Sequence, residues 1–312
     1  MPFLSSQEYE TSELETLLKE LQSYAAHGDL DRLKNALETR WEPSEETDIS
    51  WLDLNMMEIF YKIHGTIDSD KSIALQRVLN SAAKEGQVDV VKYLLDRGSC
   101  IITPPAIRYA FAMKRWDVLE VYLDRGWDIN SPMEGGNTLP LINEMIKSRP
   151  HTKWCIDHGA DPMAGNMFRN MEIPSQAAKK ADPMVLQILK DGGADFTKSN
   201  ALHNAATSDR EGRVDVMAFL LDEAGVSINM REFEWDQDLF ERYSPSRIGT
   251  ALHYAARSGP LENVKFLVER GADLSMKDGE GRTAADFARE RGFYEALPLL
   301  EIGGQKENDT TS

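Results

Sequence analysis

Apolar residues recur along this chain in short helical blocks, each closed by a glycine. "VVKYLLDRG" ends at Gly98, "VLEVYLDRG" at Gly126, "TKWCIDHG" at Gly159, "VLQILKDGG" at Gly193, "VMAFLLDEAG" at Gly225 and "NVKFLVERG" at Gly271. These glycines lie 28, 33, 34, 32 and 46 residues apart, and three of the gaps fall within one residue of 33. "GAD" follows at Gly159, Gly193 and Gly271. A fixed period of this size marks a repeat architecture.

One copy can be read position by position. Thr250 can cap a first helix with its hydroxyl oxygen. Leu252, Ala255 and Ala256 fall on one face, and the small alanines allow another helix to approach closely. Gly259 is expected to end that helix in the left-handed conformation, and Pro260 to open the next. Val264, Leu267 and Val268 keep helical spacing, Gly271 ends the second helix, and "ADLSMKDGEGRT" is rich in turn formers. The predicted unit is helix, tight turn, helix, extended loop. One unit cannot bury both apolar faces alone, so neighbours must stack.

At these residues the chain resembles the ankyrin repeat family. "TALHYAARSGPLENVKFLVERGADLSMKDGEGRT" carries the resemblance, with Thr250, Ala251, Leu252 and His253 in the place of the family's T-P-L-H. Ala201 to Asn229 and Val78 to Gly98 are similar; Ala106 to Asn130, Thr138 to Asp161 and Ser23 to Glu38 are more degenerate copies. The likeness runs with interruptions from Leu14 to Leu300, about seven or eight units. It implies an all-α ankyrin-repeat solenoid of stacked helix-turn-helix units with short hairpin loops.

Departures from the pattern set the expected domain organisation. Residues 1–71 read as a degenerate N-terminal unit plus an inserted segment, Trp41 to Lys71, in which "WLDLNMMEIFYKI" is predicted as a helix. Residues 72–303 read as the array, interrupted at 231–248, and 304–312 as a polar tail. The spacing of 28 residues before Gly126 leaves little room for a full loop ahead of Pro104 and Pro105. Pro140 and Pro150 predict a bend or a shortened helix in the fourth copy.

The resemblance implies binding of another protein through loop tips and the exposed side of the first helices. The matching residues are Lys84 and Glu85, Met113 and Lys114, Thr207 and Ser208, Arg257 and Ser258, and Glu290 and Arg291. Lys277, Glu280 and Arg282 match loop tips. It also implies that His203 and His253 link neighbouring loops through hydrogen bonds. In the insertion, Trp235, Leu239 and Tyr243 share i, i+4, i+8 spacing beside Phe233 and Phe240. They form either a partner anchor or, the expected outcome, a short helix packed on its own array. Trp51, Met56, Met57 and Phe60 are expected to pack in the same way.

Carboxylates outnumber Lys and Arg 52 to 35, for a net charge of −17. That field disfavours nucleic acid and makes a basic surface or peptide the expected partner. Two cysteines, Cys100 and Cys155, make no disulfide framework. Without a basic, apolar leader pattern or a run long enough to span a bilayer, a cytoplasmic or nuclear location is expected, with no membrane partner. No cofactor motif is present. His151, Cys155 and His158 are ligand types at i, i+4 and i+7, but seven residues of helix span about 10 Å, too far for one ion. Two other roles remain open. One is an enzyme or small-molecule binder using the groove or a pocket beside the insertion; the other is a subunit of a larger assembly.

Overall fold

A computed structural model describes residues 6–41, 70–98, 100–133, 139–164, 172–243 and 248–301. The predicted helix at Trp51–Ile63 and the tail at 304–312 lie outside them. Among the described residues the chain is helical, with no β-strand and two isolated bridges, Pro132 with Pro140 and Arg231 with Thr250. The fold is the expected all-α stack of helix pairs.

The chain divides into two compact units, Met1–Asp128 and Ile129–Ser312. In the first, α1 (Ser6–His27), α3 (Asp70–Glu85) and α5 (Pro104–Ala112) are the first helices of successive pairs. Their second helices are α2 (Leu30–Thr39), α4 (Val88–Asp96) and α6 (Trp116–Asp124). First helices pack on first helices, α1 on α3 and α3 on α5, while α4 packs on α6. The N-terminal pair thus belongs to the same compact unit as residues 70–128.

In the second unit the first helices are α7 (Ile142–Met145), α9 (Ile173–Lys180), α11 (Ala201–Thr207), α14 (Ala251–Ser258) and α16 (Ala284–Arg291). The second helices are α8 (Arg149–Asp157), α10 (Pro183–Asp191), α12 (Arg213–Asp222) and α15 (Leu261–Glu269); α17 (Leu297–Glu301) closes the row. The inserted α13 (Gln237–Tyr243) lies between α12 and α14 in sequence. The rows α9–α11–α14–α16 and α8–α10–α12–α15–α17 form two layers. Pro140 holds extended backbone, so α7 is cut to four residues, while Pro150 is accommodated in the first turn of α8.

Alanine pairs explain the close first-helix layer. Ala82 and Ala83, Ala177 and Ala178, Ala205 and Ala206, and Ala255 and Ala256 are all fully buried. Larger side chains at these positions would hold neighbouring helices apart. Gly271 has φ +84, as expected for the end of a second helix. Gly259 does not: its φ is −83, and Pro260 stands just before α15, not inside it. A glycine is needed there because a Cβ would collide with the carbonyl oxygen of Ala206 in the preceding repeat.

First helices leave carbonyls unpaired at their C-terminal ends, and after α1, α3, α9, α11 and α14 the next repeat supplies donors. Gln87 Nε2 reaches Ala26 O at 3.0 Å, and Arg115 Nε reaches Lys84 O at 3.0 Å. Arg213 donates to Ala178 O and Ala181 O, and Arg291 to Gly259 O at 2.8 Å. Asn263, buried, donates Nδ2 to Ala206 O at 3.0 Å and Ser208 O at 3.1 Å. Asn263→Ala strands these buried carbonyls and is expected to lower unfolding free energy by about 1–3 kcal/mol. Urea titration of the two proteins measures the difference.

Candidate partner-binding surface

The residues at the exposed ends of the first helices are set by the same repeat geometry. In the first unit Lys84, Glu85, Met113 and Lys114 are all exposed. Tyr109 (45%) in the last turn of α5 and Met113 (43%), which caps it, are large exposed apolar side chains. Arg115 bridges to Glu85 at 3.6 Å while donating to Lys84 O.

In the second unit Arg257 and Ser258 are exposed, and Thr207 is half-buried with its hydroxyl on Asn204 O. Ser208 departs from the expectation. It is buried, with Oγ on Lys179 O at 3.1 Å and its carbonyl taken by Asn263, so it offers nothing to a partner. Glu290 and Arg291 are exposed but already engage other groups. Glu290 accepts from Arg282, and Arg291 caps Gly259 O while lying over the Phe293 ring.

Of the loop-tip residues, Lys277 is exposed. Glu280 pairs with Arg282 at 3.3 Å. Arg282 is no free tip: its side chain is 15% exposed, bonded to Asp278 at 2.6 Å and stacked 4.4 Å over Phe287. It closes its own loop.

Four cations at the equivalent helix ends were not singled out by sequence. Lys179 and Lys180 end α9, Lys147 follows α7, and Arg210 follows α11. Burial and the neighbouring ammonium groups of Lys147 and Lys179 together lower the Lys180 pKa. Aligning the degenerate copies with Arg257 would have exposed them. These cations gather at this end of the second unit although the chain as a whole is acidic.

The insertion is rooted, not free. Its strand-like base pairs Arg231 with Thr250, and Glu232 N donates to Gly249 O at 3.0 Å. Phe233, fully buried, takes φ +63, a conformation costly for an aromatic residue. Its N–H reaches Asn200 Oδ1 at 2.9 Å, and Trp235 Nε1 meets the same oxygen at 3.3 Å. Glu232, also buried, accepts from the Tyr254 hydroxyl. Asp236 caps α13 through Leu239 N, so Trp235 precedes the helix and the predicted i, i+4, i+8 stripe does not form. Phe240 and Tyr243 are half-buried, and Tyr243 packs 5.3 Å from Phe233. The anchor is Phe233.

His253 carries out its expected link. Its Nε2 lies 3.1 Å from Arg282 O in the next loop, and Nδ1 receives Thr250 N at 3.1 Å. His203 occupies the same position one repeat earlier, near the backbone of Gly249 and Met230, but neither ring nitrogen completes a hydrogen bond of good geometry. Burial drops its pKa to about 4. On α8, Cys155 is buried with its thiol raised to about 12 by burial. His151 Nδ1 meets Ser148 Oγ, and His158 Nδ1 meets Trp154 O at 2.7 Å. The two histidines have separate partners. Among the described residues no group of three His, Cys, Asp or Glu side chains is placed to hold a metal ion.

The family model for ankyrin repeats (3 copies) matches residues 175–278, from α9 through the loop after α15. The chain is an ankyrin-repeat protein. It is similar to the human mitochondrial disaggregase, with 32% identity over 185 residues, 59% of this chain and 24% of that protein. Alpha-latrotoxin-Lg1a of Latrodectus geometricus is 27% identical over 138 residues, 44% of this chain and 9% of the toxin. The ankyrin repeat and KH domain-containing protein mask-1 of Caenorhabditis elegans is 26% identical over 262 residues, 79% of this chain and 9% of mask-1. The chain thus spans a quarter or less of each relative's length. Ankyrin repeats are protein–protein interaction modules in general, and that general capacity is what the array brings. Among the described residues no helix is long and apolar enough to cross a membrane.

Two outcomes follow from the ankyrin framework here. Phe233→Ala is expected to loosen the insertion and speed tryptic cleavage at Arg242 by roughly tenfold or more, since truncating a buried Phe costs about 3–5 kcal/mol; gel-resolved proteolysis reads it. His203 is neutral in the fold at about 4, against an unfolded value near 6.5. A lowered histidine stabilises fully above the unfolded value and is lost as pH falls from 6.5 towards 4. The loss approaches about 3 kcal/mol, and His203→Leu is expected to flatten urea stability over that window.

Proposed function

We propose that this ankyrin array holds a protein partner on the exposed C-terminal ends of its first helices. The observation that carries the reading is a division of labour at those ends. The backbone carbonyls are capped from the next repeat by Gln87, Arg115, Arg213, Asn263 and Arg291. Side chains at the same level, such as Lys84, Met113 and Arg257, are left facing solvent. A frame fixed in this way loses little conformational entropy on association. The insertion contributes to the frame through Phe233 and Asn200.

Capture from cell extract tests the reading when charge reversals are compared by location. Lys84→Glu with Arg257→Glu is expected to reduce recovery of bound proteins at least about tenfold, the scale of a 1.4 kcal/mol loss. Lys92→Glu with Lys265→Glu, on second helices, is expected to leave it unchanged. The reverse pattern, measured by quantitative mass spectrometry, moves binding to the other layer.

A further inference from the structure

The cations at the first-helix ends of the second unit have an unusual environment for a chain with a net charge of −17. Several arginines and lysines of the same unit find carboxylates: Arg149 with Asp182, Lys153 with Asp157, Arg282 with Asp278 and Glu290. Lys147, Lys179, Lys180, Arg210 and Arg257 have no carboxylate within salt-bridge distance among the described residues. Lys147, Lys179, Arg210 and Arg257 are exposed, and Lys180 is half-buried.

A structural role at the helix dipole does not account for them. Lysines in a last turn commonly neutralise helix-end carbonyls. At α9 that work is already done: Arg213 takes Ala178 O and Ala181 O, and Ser208 Oγ takes Lys179 O. Backbone contacts also keep the cations in order. Ser208 joins the end of α11 to the end of α9, and Asn263 ties the start of α15 to the end of α11. Neighbouring helices pack about 8–10 Å apart, so the line from Lys179 past Arg210 to Arg257 covers two spacings. An extended peptide of about six residues at roughly 3.3 Å each matches it. Met184, 53% exposed in the first turn of α10, lies four positions beyond Lys180 and offers an apolar contact beside the charges.

We propose that Lys147, Lys179, Lys180, Arg210 and Arg257 form a cationic track that binds an acidic peptide segment of a partner protein, with Met184 receiving an apolar residue of that segment. This rests on the first-helix binding face proposed above and names the chemistry of its partner. The sign is opposite to the expectation from net charge, because range decides which charges count. At physiological ionic strength the screening length is about 8 Å. The whole chain's charge governs distant encounter, while a bound peptide feels the groups beside it. Asp209 and Glu211 flank Arg210, so the attraction is strongest at the three lysines. The overall negative field also disfavours a long nucleic-acid polyanion, which extends beyond the track.

Fluorescence anisotropy of the full chain with a short labelled oligoglutamate peptide containing one leucine tests the proposal. Binding is expected to weaken with added salt and to fall at least about tenfold in Lys147→Glu/Lys179→Glu/Lys180→Glu. Lys92→Glu/Lys265→Glu is expected to bind as wild type, and Met184→Ser to weaken only the leucine-containing peptide. Circular dichroism checks that each variant is folded; if the triple reversal unfolds, Lys147→Gln/Lys179→Gln is the substitute. No binding by wild type, or equal binding by the lysine variants, overturns the track. Preferential binding of single-stranded RNA at the same lysines overturns the peptide assignment. If the peptide fails while capture still depends on Lys84 and Arg257, the face stands and its acidic partner falls. If capture is also indifferent, both readings fall.

Discussion

An α-helix cannot satisfy its own last carbonyls, and at five junctions this molecule answers that constraint by making one repeat finish the one before it. Arg213 on Ala178 and Ala181, Asn263 on Ala206 and Ser208, and Arg291 on Gly259 form one series in the second unit. Gln87 on Ala26 and Arg115 on Lys84 form the same series in the first. Burial of the alanine-rich first-helix faces supplies the bulk of the cohesion, but apolar contact is not directional. The hydrogen bonds select one sliding position. They are also why the turn after each first helix is tight, and why Gly259 has no space for a side chain.

On the opposite side of the stack a second set of links joins the loops. Asn130 bonds both Gly159 O and Asp161 N, and Asn229 accepts from Asp273 N. Between these two junctions Met163 replaces the asparagine, and its sulfur accepts from Asp195 N at 3.3 Å. The insertion uses the same opening by sending Phe233 under the loop layer onto Asn200. An added segment is tolerated there because its base is fixed by a bridge to Thr250 while its outer helix adds no load to the stack.

In the proposed reading, function depends on what these links leave unused. A side chain that caps a neighbour's carbonyl is held still and is no longer available to a partner, whereas an adjacent one is displayed on a rigid support. Ser208 belongs to the first group; Lys84, Arg257 and Lys179 belong to the second. Charge follows the same division. The chain is acidic as a whole, yet the ends of its first helices gather cations, and short screening lengths let both facts act at different distances.

The amino-acid sequence determined the period, the helix pairs, the glycine at Gly271 and the histidine link at His253, because each arises from residues within one repeat or from a pattern recurring in every copy. It also located the insertion and the weakened fourth copy through Pro140. It did not reveal that Gly259 is required by the carbonyl of Ala206, that Ser208 is covered by Asn263, or that Phe233 anchors the insertion while Trp235 stands before α13. Lys147, Lys179 and Lys180 stayed hidden because their repeats lack the familiar string. Such choices belong to the tertiary structure, since the groups that meet are 25 to 57 residues apart. Local propensity acts over a few residues, whereas only stacking decides which polar atom of one repeat faces the open carbonyl of another.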